Sequence, residues 1–157
     1  MQALQRLACG AVLALAVATT VSAQTLDKKV LSFEAATKIA AAAEAAARAR
    51  GVGVVVAVVD DGGHLILLHR LDEAQVASVN VGIGKARTAA IYRRPSREFE
   101  EQIKAGRVAA LALADSTPLQ GGIPIRLNGK VIGAIGVSGD TPQVDEAIAI
   151  AGASAFK

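Results

Sequence analysis

Gly121-Gly122-Ile123-Pro124-Ile125, then Asn128-Gly129, then Gly133-Ala134-Ile135-Gly136-Val137-Ser138-Gly139 is the stretch that decides the fold. It reads as a glycine loop, a strand, a two-residue turn and a second strand. Asn-Gly is the strongest short hairpin signal, because both residues tolerate the positive φ that a tight turn needs. Pro124 places its strand at an edge or near its start. Glycine weakens a strand unless something approaches its backbone closely. The neighbour is a chain segment, another subunit or a ligand, and the sequence leaves these three open.

Working upstream, Val52–Val59 is a β-branched run with almost no polar residue, the pattern of a central strand covered on both faces. Asp60-Asp61-Gly62-Gly63 is a turn, and His64–Leu71 returns as the partner strand. A first helix is predicted from Ser32, a good N-cap, to about Arg50, with Gly51 as its stop. It is rich in alanine and so fit for close packing on a sheet. A second helix is predicted over Ala74–Ile91, with Asp72 as its cap, and a short one from Ser96 through Lys104. Thr141-Pro142 opens a last helix that ends near Phe156, with proline in its favoured first position. The order is helix, hairpin, helices, hairpin, helix. No strand–helix–strand unit repeats, so the expected class is α+β, an antiparallel sheet flanked by helices, rather than a doubly wound parallel sheet.

The N-terminus reads as an export signal. A short basic start ending at Arg6 precedes the apolar Leu7–Val17, and Val21-Ser22-Ala23 suits cleavage before Gln24. The apolar run is too short to span a bilayer. The expected domains are a cleaved signal peptide, 1–23, and one domain, 24–157, in the periplasm or outside the cell, with no stable membrane insertion after cleavage. Loss of Arg6 takes the net charge from +3 to +2, too weak a bias to indicate nucleic-acid binding. The only cysteine, Cys9, lies in the leader, which excludes thiolate metal sites and cysteine nucleophiles from the mature domain. Lys85, Arg87, Arg93, Arg94, Arg97, Lys104 and Arg107 form a basic run, broken by Glu98, Glu100 and Glu101. It suits one anionic small molecule, a subunit contact or a plain solvated face.

Candidate chemistry is sparse. His64 and His69 stand at an odd spacing, which on an unbroken strand sends them to opposite faces. They are therefore not expected to share a metal, although either alone is a candidate axial ligand for a haem iron. Arg70 offers a rigid fork for a carboxylate, or a partner for Asp72. Lys85 and Thr88 lie three residues apart and line one helix surface. Ser138-Gly139 precedes a helix N-terminus, but Asp140 follows and no P-loop lysine does. The strand glycines do not make a dinucleotide fingerprint. No serine–histidine–acid set or glycosidase pair stands out.

Taken together, Val58-Val59-Asp60-x-Gly62-Gly63-His64-Leu65, Arg70-Leu71-Asp72, Lys85-Ala86-Arg87-Thr88-Ala89-Ala90, Gly121-Gly122-Ile123-Pro124, Gly133–Gly139 and Asp145-Glu146 resemble the haem-binding or haem-degrading HbpS-like domains, the GlcG and PduO C-terminal-domain type. The resemblance runs from about Leu31 to Phe156. It implies a central antiparallel sheet of about five strands flanked by helices, and assembly into homo-oligomers. It also implies a small molecule or tetrapyrrole as ligand, haem foremost, with degradation of haem by coupled oxidation as an associated activity. Alternatives are an accessory protein or enzyme for a small carboxylate such as glycolate, and a non-catalytic structural oligomer. The implied pocket residues are Arg70, Lys85, Thr88, Gly121, Gly122, Ser138 and Gly139, with His64 or His69 on iron; no catalytic residue is identified. Some family members ligate haem through a histidine in the first helix, and this chain has none there.

Overall fold

The computed structural model describes residues 26–157. The expected signal peptide lies outside the described residues. Helix α1 (Phe33–Arg48) starts at Ser32, whose hydroxyl accepts the Ala35 N–H at 3.1 Å. Its buried stripe is Ala36, Ile39, Ala40, Ala43 and Ala47, so the helix sits close on the sheet. Strands β1 (Val55–Asp60) and β2 (Leu65–Arg70) form the first hairpin. Strands β3 (Gly122–Leu127) and β4 (Lys130–Ser138) form the second. Antiparallel pairing of β1 with β4 joins them in the order β2-β1-β4-β3. The fold is α+β as expected. The sheet has four strands among the described residues, where the resemblance implies about five.

Helices cover the two faces unequally. Against one face lie α1 and α4 (Pro142–Ala153), burying Val54, Val56, Val58, Ile135, Val137 and Ile148. Against the other lies α2 (Ser78–Ile91), which crosses β4, β1 and β3. There Ala86, Ala89 and Ala90 meet Ala57, Val59 and Ala134. Small residues on both sides bring helix and sheet together. From α2 the chain runs through α3 (Arg97–Lys104) and a 3-10 turn (Val108–Ala112), then returns to β3.

Two helix starts differ from the sequence reading. Helix α2 begins at Ser78 rather than Ala74, and Asp72 does not cap it. The Asp72 carbonyl packs against Gly53, and Glu73 takes a positive φ of 66°, so the chain turns there before the helix begins. Ser96 does not cap α3 through its side chain either. Its hydroxyl donates to the Leu119 carbonyl at 2.5 Å and accepts the Gly122 N–H at 2.8 Å. The tertiary bonds to the glycine loop win over the local cap.

Candidate functional site

The glycine-rich hairpin has a neighbour, and it is this chain's own helix. A side chain at Gly136 would run into the Gly82 carbonyl and lie 2.5 Å from the Ala86 nitrogen. One at Gly122 would collide with the Lys85 carbonyl and lie 2.8 Å from the Ser96 hydroxyl. Gly139 lies under Gly53 and Val54. Of the three neighbours open from sequence, a chain segment fills the space.

Beneath the loop lies a buried ion pair. Lys85, from the middle of α2, reaches over β4 to Asp145, in the first turn of α4, with Nζ to Oδ2 at 2.7 Å. Nζ also donates to the Val137 carbonyl at 3.0 Å. The other Asp145 oxygen accepts the Asp140 N–H at 3.0 Å. Both side chains are nearly sealed from water, 5% and 3% exposed. Burial pushes the Asp145 carboxyl above the usual aspartate value, against the lowering influence of Lys85 and of the Asp140 and Gly139 N–H groups. Gly121, at φ 123°, passes directly over the pair: a β-carbon there would lie 2.8 Å from the Val137 carbonyl and 3.1 Å from Lys85 Nζ. Only glycine combines that φ with that clearance.

The surrounding polar groups hold the same loop. Gln120 donates its N–H to Glu100 Oε2 and its side-chain amide to Glu146 Oε2, both at 2.6 Å. Arg97 completes the Glu146 contact at 3.2 Å. Thr88 donates to the Gly84 carbonyl and accepts the Thr117 N–H at 2.7 Å. Ser138 pairs with Ser78, hydroxyl to hydroxyl, at 3.3 Å. Lys85, Thr88, Gly121, Gly122, Ser138 and Gly139 therefore do gather around α2 and β4, as the sequence suggests. Their polar atoms bond one another or the backbone. The arrangement clasps α2, α4 and the 119–122 loop together and presents no free base or nucleophile.

Arg70, His64 and His69 stand elsewhere, on the first hairpin. His69 lies opposite Val56, on the sheet face that α1 covers. Its Nδ1 is 3.0 Å from Glu44 Oε2, on α1. The bond from Arg48 holds the Glu44 carboxyl below the usual range; burial opposes this, and His69 adds to it. Arg70 is exposed, with one long contact, 3.5 Å, to the Ala74 carbonyl. His64 is exposed beside the turn. The strand between the histidines is not unbroken: the register shifts after Val58, Val59 pairs with Leu65, and the His64 carbonyl accepts the Asp60 N–H. That irregularity removes the premise that sent His64 and His69 to opposite faces. Among the described residues no three histidine, cysteine or acidic side chains gather as a metal site.

Glu44, Ser96, Gln120 and Asp145 carry more of this geometry than the sequence suggests. Asp145 has a local signal: with Glu146 it forms an acidic pair between Val144 and Ala147 in a mostly apolar helix. The others have none, because their partners are far away in the chain.

A four-stranded antiparallel sheet with α1 and α4 on one face and α2 on the other is an architecture shared with solved proteins. The model of the haem-degrading HbpS-like family matches residues 31–154, and the chain belongs to that family. It is 40% identical over 111 residues to protein GlcG of Escherichia coli K12, covering 71% of this chain and 83% of GlcG. The crystal structure of HbpS superposes with a TM-score of 0.82 at 32% identity, covering 89% of this chain and 99% of that one. The crystal structure of a PduOC–haem complex superposes with a TM-score of 0.75 at 26% identity, covering 82% and 96%.

Proposed function

We propose that this chain is an exported binding protein for a cofactor, with haem as the ligand and His69 as the residue on iron. The observation that carries the reading is membership, over 31–154, of a family described as haem-degrading, one relative of which is solved with haem. The donor set supports it. A ligating histidine generally gives its other ring nitrogen to a carboxylate, which fixes tautomer and ring orientation. Glu44 meets His69 in that way, at Nδ1, and leaves Nε2 for a metal. Arg70, next in sequence and exposed, is a cation available to a propionate. Lys85 does not suit that role, because Asp145 and the Val137 carbonyl already hold its charge. His64 lacks an orienting carboxylate partner among the described residues.

Bound haem supplies an iron centre able to react with peroxide, the route by which haem itself is degraded. The protein's own part is to hold and orient: Glu44 fixes the His69 ring, and Arg70 supplies positive charge at the rim. No residue is proposed as a catalytic base. Hemin added to the purified protein is expected to give a shifted Soret band that saturates at a fixed ratio. The second reading, an accessory protein for a small carboxylate, rests on Arg70. It predicts thermal stabilisation by glycolate or a similar acid and no Soret change, a result that would replace the haem reading. After export, the compartment is the periplasm or the exterior; among the described residues no helix is long and apolar enough to cross a membrane.

A further inference from the structure

A carboxylate at the end of a glutamate side chain turns easily, because its last torsion has a broad energy profile. Glu44 is not free to turn. Arg48, one helical turn further along α1, donates to Glu44 Oε1 from both Nε and Nη2, at 2.9 and 2.7 Å. Both bonds fall on the same oxygen. Oε2 is left to His69 Nδ1, at 3.0 Å. One oxygen therefore serves the guanidinium and the other the imidazole. Other arginine pairs at the same spacing lack this grip: Arg94–Glu98 and Arg97–Glu101 stand at 3.8 and 3.7 Å. Local structure places the arginine well. A base four residues after a glutamate is the favourable order for an ion pair on one helix face. Arg48 also lies in the last turn of α1, where a cation meets the carbonyl end of the helix.

We infer that Arg48 is a positioning residue for His69 and acts through Glu44. The inference rests on the reading of His69 as the residue on iron. An ionised carboxylate only accepts, so the ring proton sits on Nδ1 and the lone pair on Nε2. That tautomer is held while Oε2 stays in place, and the grip on Oε1 keeps it there. The shape of the guanidinium matters more here than its charge. The Arg48 side chain is 65% exposed, and a solvated cation contributes little by charge alone. Its planar fork, by contrast, sets two donors on one oxygen in a fixed geometry. A lysine would keep the charge and lose the second donor. Glu44 and His69 are both partly exposed, so water competes for Oε2 and Nδ1 once the grip is gone.

The test uses Arg48→Gln, Arg48→Lys, Glu44→Gln and the double change Glu44→Gln, Arg48→Gln. In the ligand-free parent at alkaline pH, NMR of the imidazole nitrogens is expected to find the His69 proton on Nδ1. Arg48→Gln and Arg48→Lys are each expected to raise the share of the Nε2–H form, which free histidine favours, with unchanged circular dichroism. Hemin affinity is expected to fall ~2–5-fold in both, the scale of an exposed ion pair. In the Glu44→Gln background, Arg48→Gln is expected to change neither measurement, because the carboxylate it holds is gone. An unchanged tautomer in Arg48→Gln, a parent-like Arg48→Lys, or an equal effect of Arg48→Gln with and without Glu44 overturns the inference. A parent with no Soret response but the expected tautomer shifts would overturn the haem reading and support Arg48 as the residue that orients His69.

Discussion

Lys85 shows what a single buried charge does in this protein. Its attraction to Asp145 offsets the loss of water around both groups, and removing one partner leaves the other charge stranded. Lys85→Met is expected to lower stability by about 3–5 kcal/mol in urea unfolding, while the double change Lys85→Met, Asp145→Leu should recover much of that loss. Burial raises the Asp145 carboxyl, so the folded protein holds this proton at a pH where the unfolded chain has released it. The contribution is therefore greatest below the ordinary aspartate value and falls as pH rises through the folded value. Asp145→Asn should remove that segment of the stability–pH curve, read by denaturant midpoints across the mildly acidic range. Lys85 stands out in the sequence as a cation among small helical residues. Its partner, 60 positions away, is also visible as an acid in a mostly apolar helix, but nothing local joins the two.

At the level of elements, the glycines of β4 and the small face of α2 are two halves of one contact. Gly136→Ala puts a β-carbon against the Gly82 carbonyl and Ala86, and neither backbone can yield without moving the helix. The expected cost is about 1–3 kcal/mol, with a matching fall in the melting temperature. By contrast, Ser32→Ala removes one cap bond at an exposed helix end and should cost about 1 kcal/mol. Both hairpins, α1 and the Thr141-Pro142 start of α4 are legible in the sequence, because β-branched runs, Asn-Gly turns and caps are local signals. The start of α2 and the role of Ser96 are not. There the chain obeys contacts with Gly53 and Gly122, and a tertiary contact overrides a local preference at each point. The gathering of Lys85, Thr88, Gly121 and Ser138 is legible as a cluster, but its use as an internal clasp depends on side chains that meet only after folding.

For the molecule as a whole, the clasp and the residues proposed for the ligand lie on different strands: His69 and Arg70 on β2 are level with Val137 and Ser138 on β4, with β1 between them. Glu44 on α1, His69 on β2 and exposed Arg70 bring an oriented imidazole and an available cation to the same hairpin strand. Glu44→Gln keeps the size of the side chain and removes its charge, so hemin affinity should fall about 10–100-fold, while the fold, whose clasp does not involve Glu44, stays intact by circular dichroism. The most direct measurement is hemin titration of His69→Ala beside His64→Ala and the parent protein, followed at the Soret band. The parent and His64→Ala should give the same shifted, saturating spectrum, and His69→Ala should give that of free hemin. A parent-like spectrum from folded His69→Ala would contradict the assignment of His69 to iron.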